Sequence, residues 1–505
     1  MNNEKLKQKS AIIIGSGYGG LGAACILGKA GWKVTLIEKN EMVGGRATVF
    51  KSKGFTFDMG PSWYLMPDVF EHFFNILGEN VQDHLDLIKL APSYRIFYKD
   101  LNEQVDIYSD LKKDIPTLEA IEKGSGDMLI KYLKRAGYQY EVAKDRFMYK
   151  NYDTFRDFFT KEAALEGRKL SIFSNMDSYV GKFFKTDQLS KIMQYPLVFL
   201  GSSPYNTPAI YNIMSHIDFN MGVFYPKGGI YGITKALHSI ASKYDVSTML
   251  NKTVEKIIVD NGRATGVMVD GRELSADIVI SNADIHHTEQ NLLDKEHRQY
   301  NERYWKSRTL APSALIMYLG VDKQYPSLTH HNLLFSKDWR LNFAEIFDRP
   351  QWPTDPSMYV CAPSKTDSSV APKGMENLFV LVPIAPGLDY DEAQLESYAN
   401  NYLTTMESQM GLTDLQKHIV YKKIFSVKDF KQRYNSYQGT ALGLAHTLRQ
   451  TAIFRPNNIS KKVKGLYYVG AGTNPGIGMP ITLMSAELMY KRLINDKSSG
   501  PLEKI

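Results

Sequence analysis

The chain has 505 residues, of which 43% are hydrophobic and 23% charged, with a formal net charge of +7. That length predicts two or three domains rather than one core, and the balance excludes a disordered or fibrous chain. The basic excess carries no dense block that would mark a nucleic-acid binder. Only two cysteines occur, Cys25 and Cys361, so neither a disulfide framework nor a metal cluster is expected, and a reducing cytoplasm suits the chain.

The N-terminal MNNEKLKQKS is basic but lacks the apolar stretch of a signal peptide. Ala11–Ile14 is the short apolar run of a buried parallel strand. Gly15, Gly17 and Gly20 follow as G-x-G-x-x-G. The first glycine makes a tight turn, the second lets backbone approach a pyrophosphate, and the third allows close helix–strand packing. A helix from about Gly19 to Ala30 aims its N-terminal N–H groups at the phosphates. Lys33–Ile37 returns as a strand ending at Glu38, whose carboxylate can accept both ribose hydroxyls. Gly44-Gly45-Arg46 adds a second glycine turn and an arginine, an extension typical of FAD proteins rather than nicotinamide dehydrogenases.

Further along, SYRIFYKD and QVDIYSD read as hairpin strands, and residues 115 to 200 turn helical. Met148, Tyr152, Phe155 and Phe159 fall on one apolar helix face. Residues 252–260 and 264–269 read as strand, turn and strand, 276–281 as a buried strand, and 314–319 and 378–383 as strands of a second lobe. Asp284 is placed to cap the following helix, and the adjacent His286 and His287 lack the further ligands a metal site needs. No stretch has the roughly 18 apolar residues of a membrane-spanning helix. The fold class is α/β, with a Rossmann-like, discontinuous FAD-binding domain (1–75, 221–285 and 465–505). A mixed α+β substrate lobe (76–114 and 286–464) and a helical region (115–220) complete it.

The motifs GSGYGGLGAACILGKAGWKVTLIEKNEMVGGRA, GFTFDMGPSWYLMPDVFE, FYPKGGIYGI, SNADIHHT, APSKTDSSVAPKG and LYYVGAGTNPGIGMPITLMSAEL occur in an order that resembles the bacterial phytoene desaturase type of carotenoid desaturase, within the flavin amine oxidase-like superfamily. The resemblance covers almost the whole chain. It implies that the turn Gly60-Pro61-Ser62 passes close to the isoalloxazine and that the Val254 backbone binds adenine. It also implies that Gly472, Gly478 and Met479 face the flavin's pyrimidine end, where the helix beginning near Pro480 offers its positive end to the reduced ring. Many relatives carry His-Pro-Gly where this chain has Asn474-Pro475-Gly476.

The activity implied is FAD-dependent dehydrogenation of 15-cis-phytoene toward lycopene, with hydride passing from an allylic carbon to flavin N5. Arg156 and Asp157 sit where relatives place an Arg-Asp pair, which makes them the candidate catalytic residues. Alternatives within the family are a C30 diapophytoene desaturase, a hydroxycarotenoid 3,4-desaturase or a carotenoid oxygenase. Beyond it lie a flavin-dependent isomerase and a flavin amine oxidase. Oxygen or a quinone is the expected acceptor, since no second nucleotide fingerprint occurs. A bilayer-dissolved substrate implies peripheral docking on the inner face of the membrane through the helical region.

Overall fold

The computed structural model describes residues 8–99, 101, 103–154 and 174–505. Its first unit is β1 (Ser10–Ile14), α1 (Tyr18–Lys29) and β2 (Lys33–Ile37), each within a residue of the expected bounds. Both faces of β1 are covered, which is why its sequence is continuously apolar rather than alternating. Ala11 and Ile13 pack into a core with α1 and the helices Tyr231–Lys243 and Met479–Leu493. Ile12 and Ile14 face the opposite core, shared with Val254, Ile257 and Val267 of a three-stranded antiparallel sheet.

The sheet that carries this unit has five parallel strands in the order Leu466–Tyr468, Ile278–Ser281, β1, β2, Ser247–Met249. Strands from the middle and the end of the chain therefore flank those from its start. A second sheet has seven strands, and the hairpin Tyr94–Tyr98 and Gln104–Ile107 forms one edge of it. Its strand Ser313–Val321 alternates with period two: Ala314, Ile316 and Tyr318 face one core, and Leu315, Met317 and Leu319 the other. The second of these cores is closed by the helix Glu392–Gln409.

One expectation fails in the helical region. Met148 and Tyr152 do not share a helix, because the helix Ser125–Ala143 ends in a π-turn at Lys144–Met148 and residues 150–153 are not helical. Tertiary hydrogen bonds override the local pattern: Asn151 Nδ2 donates to Leu488 O at 2.9 Å, and Asn458 Nδ2 donates to Asn151 Oδ1 at 2.8 Å. Phe155, Phe159, Arg156 and Asp157 lie outside the described residues.

Candidate functional site

A single cavity of about 920 Å³ runs from the β1–α1 turn to the seven-stranded sheet, at the upper end of the ~300–1,000 Å³ usual for ligand sites. Gly15, Gly17, the first residues of α1 and Glu38 form one part of its wall. Gly45 and Arg46 come from the second glycine turn, and Gly60, Pro61 and Ser62 from the loop after the strand Phe55–Asp58. Val254, Gly478 and Met479 line the same cavity. Two expected residues stand apart. Gly20 packs beneath the turn against Gly15 O, and Gly472 lines a small pocket behind the loop, against Ile285.

The wall around the glycine turns is polar and preorganised. Gly15 adopts φ +91°, a conformation open to glycine. A Cβ on Gly17 would lie 2.9 Å from Asn282 Nδ2, and one on Gly45 would lie 3.1 Å from Gly17 Cα, so the two glycine turns pack against each other. The buried Glu38 carboxylate is fixed by four donors. Ser16 N–H (2.9 Å) and Oγ–H (2.7 Å) reach Oε2, and Asn40 N–H (2.9 Å) and Nδ2 (2.8 Å) reach Oε1. Two of these donors are side chains that ribose hydroxyls can displace. Arg46 Nε is buried without a hydrogen-bond partner, and its guanidinium lies 5.5 Å from the Tyr434 ring centroid. A guanidinium with an unpartnered Nε, a helix N-terminus, glycine walls and a held carboxylate together fit a dinucleotide such as FAD. Glu38→Gln replaces an acceptor-only carboxylate with an amide. Charge-assisted hydrogen bonds contribute roughly 1.5–3 kcal/mol, so FAD affinity is expected to fall about 10- to 100-fold in a fluorescence titration.

Another part of the wall is apolar and aromatic, formed by Trp63, Tyr195, Phe199, Leu333, Trp339 and Phe343. Ser62 Oγ and Tyr359 OH are hydrogen-bonded at 2.8 Å, as are Tyr359 OH and His331 Nδ1. The His331 ring stacks on Trp63 with centroids 4.1 Å apart and planes 8° from parallel. Burial drives the His331 pKa down and the Tyr359 pKa up, so this chain of groups is neutral and acts as a brace for Trp63. His330, His331 and Cys361 bring ligand-capable atoms within 4.8 Å of one another. Cysteine spacing alone did not reveal that convergence. His286, by contrast, stacks on Tyr437, and Asp284 accepts the His287 N–H at 3.2 Å as a cap.

Two further buried groups had no signal in the sequence. His446 lines the cavity, donates its Nδ1–H to Leu200 O at 3.0 Å, and packs its ring against Gly476. An imidazole thus reaches the Asn474-Pro475-Gly476 loop from a distant segment. Asp218 lies one layer behind the wall. Tyr94 OH (2.7 Å) and Tyr195 OH (3.1 Å) donate to its Oδ2, while Oδ1 has no partner. Burial pushes this carboxyl up to about 7. The folded state therefore holds the proton more tightly than the unfolded one, and stability is lost as pH rises through the folded pKa. Asp218→Asn does not titrate. Relative to the parent it is expected to gain roughly 2–4 kcal/mol between pH 4 and pH 7.5, at ~1.4 kcal/mol per unit, read by urea denaturation across that range.

The model of the family described as flavin containing amine oxidoreductase matches residues 18–488. A carotenoid 3,4-desaturase of Haloarcula japonica is 47% identical over 498 residues, covering 97% of this chain and 99% of that protein. A zeta-carotene-forming phytoene desaturase of Myxococcus xanthus is 34% identical over 488 residues, covering 96% and 93%. Among solved structures, an oxidoreductase from Methanosarcina mazei superposes with a TM-score of 0.60 at 20% identity, covering 94% of this chain and 98% of that one.

Proposed function

The chain belongs to the flavin containing amine oxidoreductase family, and we propose that this FAD-dependent oxidoreductase desaturates a linear carotenoid, at the 3,4 bond of a C40 polyene. One observation carries the reading: the glycine turns and the aromatic wall line a single cavity, so a long apolar substrate can lie against the cofactor. The choice of bond is supported by 47% identity to a carotenoid 3,4-desaturase against 34% to a phytoene desaturase. Phytoene desaturation toward lycopene is the second reading, favoured by the order of the six motifs.

We place FAD across residues 1–75, 221–285 and 465–505, with Gly15, Gly17, Glu38 and Arg46 holding the dinucleotide and Gly478 and Met479 at the flavin. When bound, FAD supplies the two-electron acceptor. The chain supplies position and dryness. Trp63, Tyr195 and Phe199 hold the polyene by contact and exclude water, so much of the rate comes from orienting an otherwise inert C–H bond. Arg156 and Asp157 are the proposed proton-handling pair, Asp157 taking the proton at its carboxylate. Oxygen or a quinone is the proposed final acceptor.

No helix among the described residues is long and apolar enough to cross a membrane. We place peripheral docking on the outer face of the helix Ser125–Ala143, where Ile130 (48% exposed) and Tyr138 (47%) stand beside Lys131 and Lys134. That helix runs into the cavity wall at Ala143 and Phe147. The protein is expected to float with anionic liposomes at low salt; remaining wholly soluble there excludes this docking face.

The test of function is expression in one host that accumulates phytoene and another that accumulates lycopene, with extracted pigments resolved by absorption spectroscopy. A red-shifted product from lycopene alone establishes 3,4-desaturation, and colour arising from phytoene establishes the second reading. FAD-loaded protein that changes neither pigment refutes both and moves the substrate to C30.

A further inference from the structure

Arg455 is 3% exposed, yet it is bound by carbonyls alone. Its Nε donates to Thr473 O (3.2 Å), Nη1 to Gln450 O (3.3 Å), and Nη2 to Leu444 O (3.2 Å) and Ala471 O (2.6 Å). Among the described residues no carboxylate pairs with it, and the ionisable groups whose charges reach it are the phenols Tyr211 and Tyr304. A buried guanidinium ordinarily recovers its lost hydration from a carboxylate. Here four peptide dipoles hold it, and the positive charge stays uncancelled.

Its place in the fold gives that charge a use. Ala471 and Thr473 belong to the loop between the strand Leu466–Tyr468 and the helix Met479–Leu493, and Gly470, Ala471 and Asn474 of this loop line the cavity. Arg455 stands immediately behind that wall. The neighbouring His446 is driven down to about 3 by burial first and by Arg455 second, so it is neutral and adds no charge. Arg455 itself falls to about 10 through burial and remains a cation at neutral pH.

We propose that Arg455 is a positioning residue that tunes the cofactor: it fixes the backbone of loop 470–474, and its uncancelled charge behind the cavity wall raises the reduction potential of bound FAD. This rests on the reading that the flavin's pyrimidine end lies beside this loop. Two-electron reduction places negative charge on that end, and a fixed cation in a poorly hydrated interior favours it. The cation would thereby make FAD a stronger acceptor for a C–H donor that is hard to oxidise.

The test needs no carotenoid. The FAD potentials of the purified parent, Arg455→Gln and Arg455→Lys are measured by slow enzymatic reduction against a reference dye. Arg455→Gln is expected to lower the two-electron equilibrium constant at least tenfold, a fall of ~30 mV or more, while Arg455→Lys stays within about threefold of the parent, ~15 mV. An FAD-loaded Arg455→Gln within twofold of the parent overturns the proposal. Should that variant not hold FAD, Tyr304→Glu combined with Arg308→Gln, which removes the guanidinium already stacked on that ring, sets a carboxylate beside the intact Arg455 and is read in the same way. An unchanged potential there overturns the proposal equally. A parent that carries no FAD refutes the functional reading itself, an outcome distinct from either.

Discussion

Gly20→Ala is expected to give protein that purifies without flavin, with FAD affinity lowered at least about 100-fold. The added methyl carbon would fall inside the contact radius of Gly15 O. That atom is backbone, at the point where the chain turns from β1 into α1, so no side chain can swing away to make room. Either α1 separates from β1 or the turn opens, and both move the helix N-terminus that is to face the phosphates. Overpacking of this kind costs roughly 1–3 kcal/mol even where the surroundings yield, and here they cannot. Gly232→Ala is the matched control. It makes the same change inside the helix Tyr231–Lys243, where the nearest atom is Leu85 Cδ2 at 3.6 Å, and it is expected to keep FAD. Flavin absorption of the two purified variants, normalised to protein, decides the matter. Equal flavin content would refute the role given to this turn.

Val198→Trp is expected to abolish turnover while leaving FAD in place. Val198 is half-buried beside Phe199 in the cavity wall, within the short 3₁₀ turn Tyr195–Leu200. An indole there enters the space proposed for the polyene and is remote in sequence from the glycine turns at 15–20 and 44–45. Displacing a substrate from a near-attack position removes most of the orientational advantage, so a loss of at least about 100-fold in kcat/KM follows. Flavin content and thermal stability should stay near the parent's. Full activity on a C40 substrate would show that the polyene takes another path.

The β1–α1–β2 unit was legible almost to the residue because its signals are local: an apolar run, glycines at fixed offsets, and an acid at the strand end. Arg46 and the loop 60–62 were found through motifs, and they do reach the same cavity. What stayed hidden depends on contacts between distant segments. Asp218 reads as an ordinary acid in a helical stretch until Tyr94 and Tyr195 close over it. His331 and Tyr359 read as strand residues until their strands pair. The helix expected through Tyr152 had sound periodicity, but periodicity says nothing of Asn151 reaching across to Leu488 and Asn458. Gly472 belonged to a motif whose loop turns that residue away from the cavity.

The five-stranded sheet also sets an order of events in the living cell. β1 and β2 leave the ribosome well before Ile278–Ser281, the second neighbour of β1, and before Leu466–Tyr468, which closes the edge. Met479, which lines the same cavity as the first glycine turn, is translated later still. The cofactor therefore cannot template its own binding site during synthesis. The nascent chain must keep an apolar strand edge shielded until release, a window in which aggregation competes with folding. Flavin supply then acts on finished chains, by trapping those that have closed the sheet.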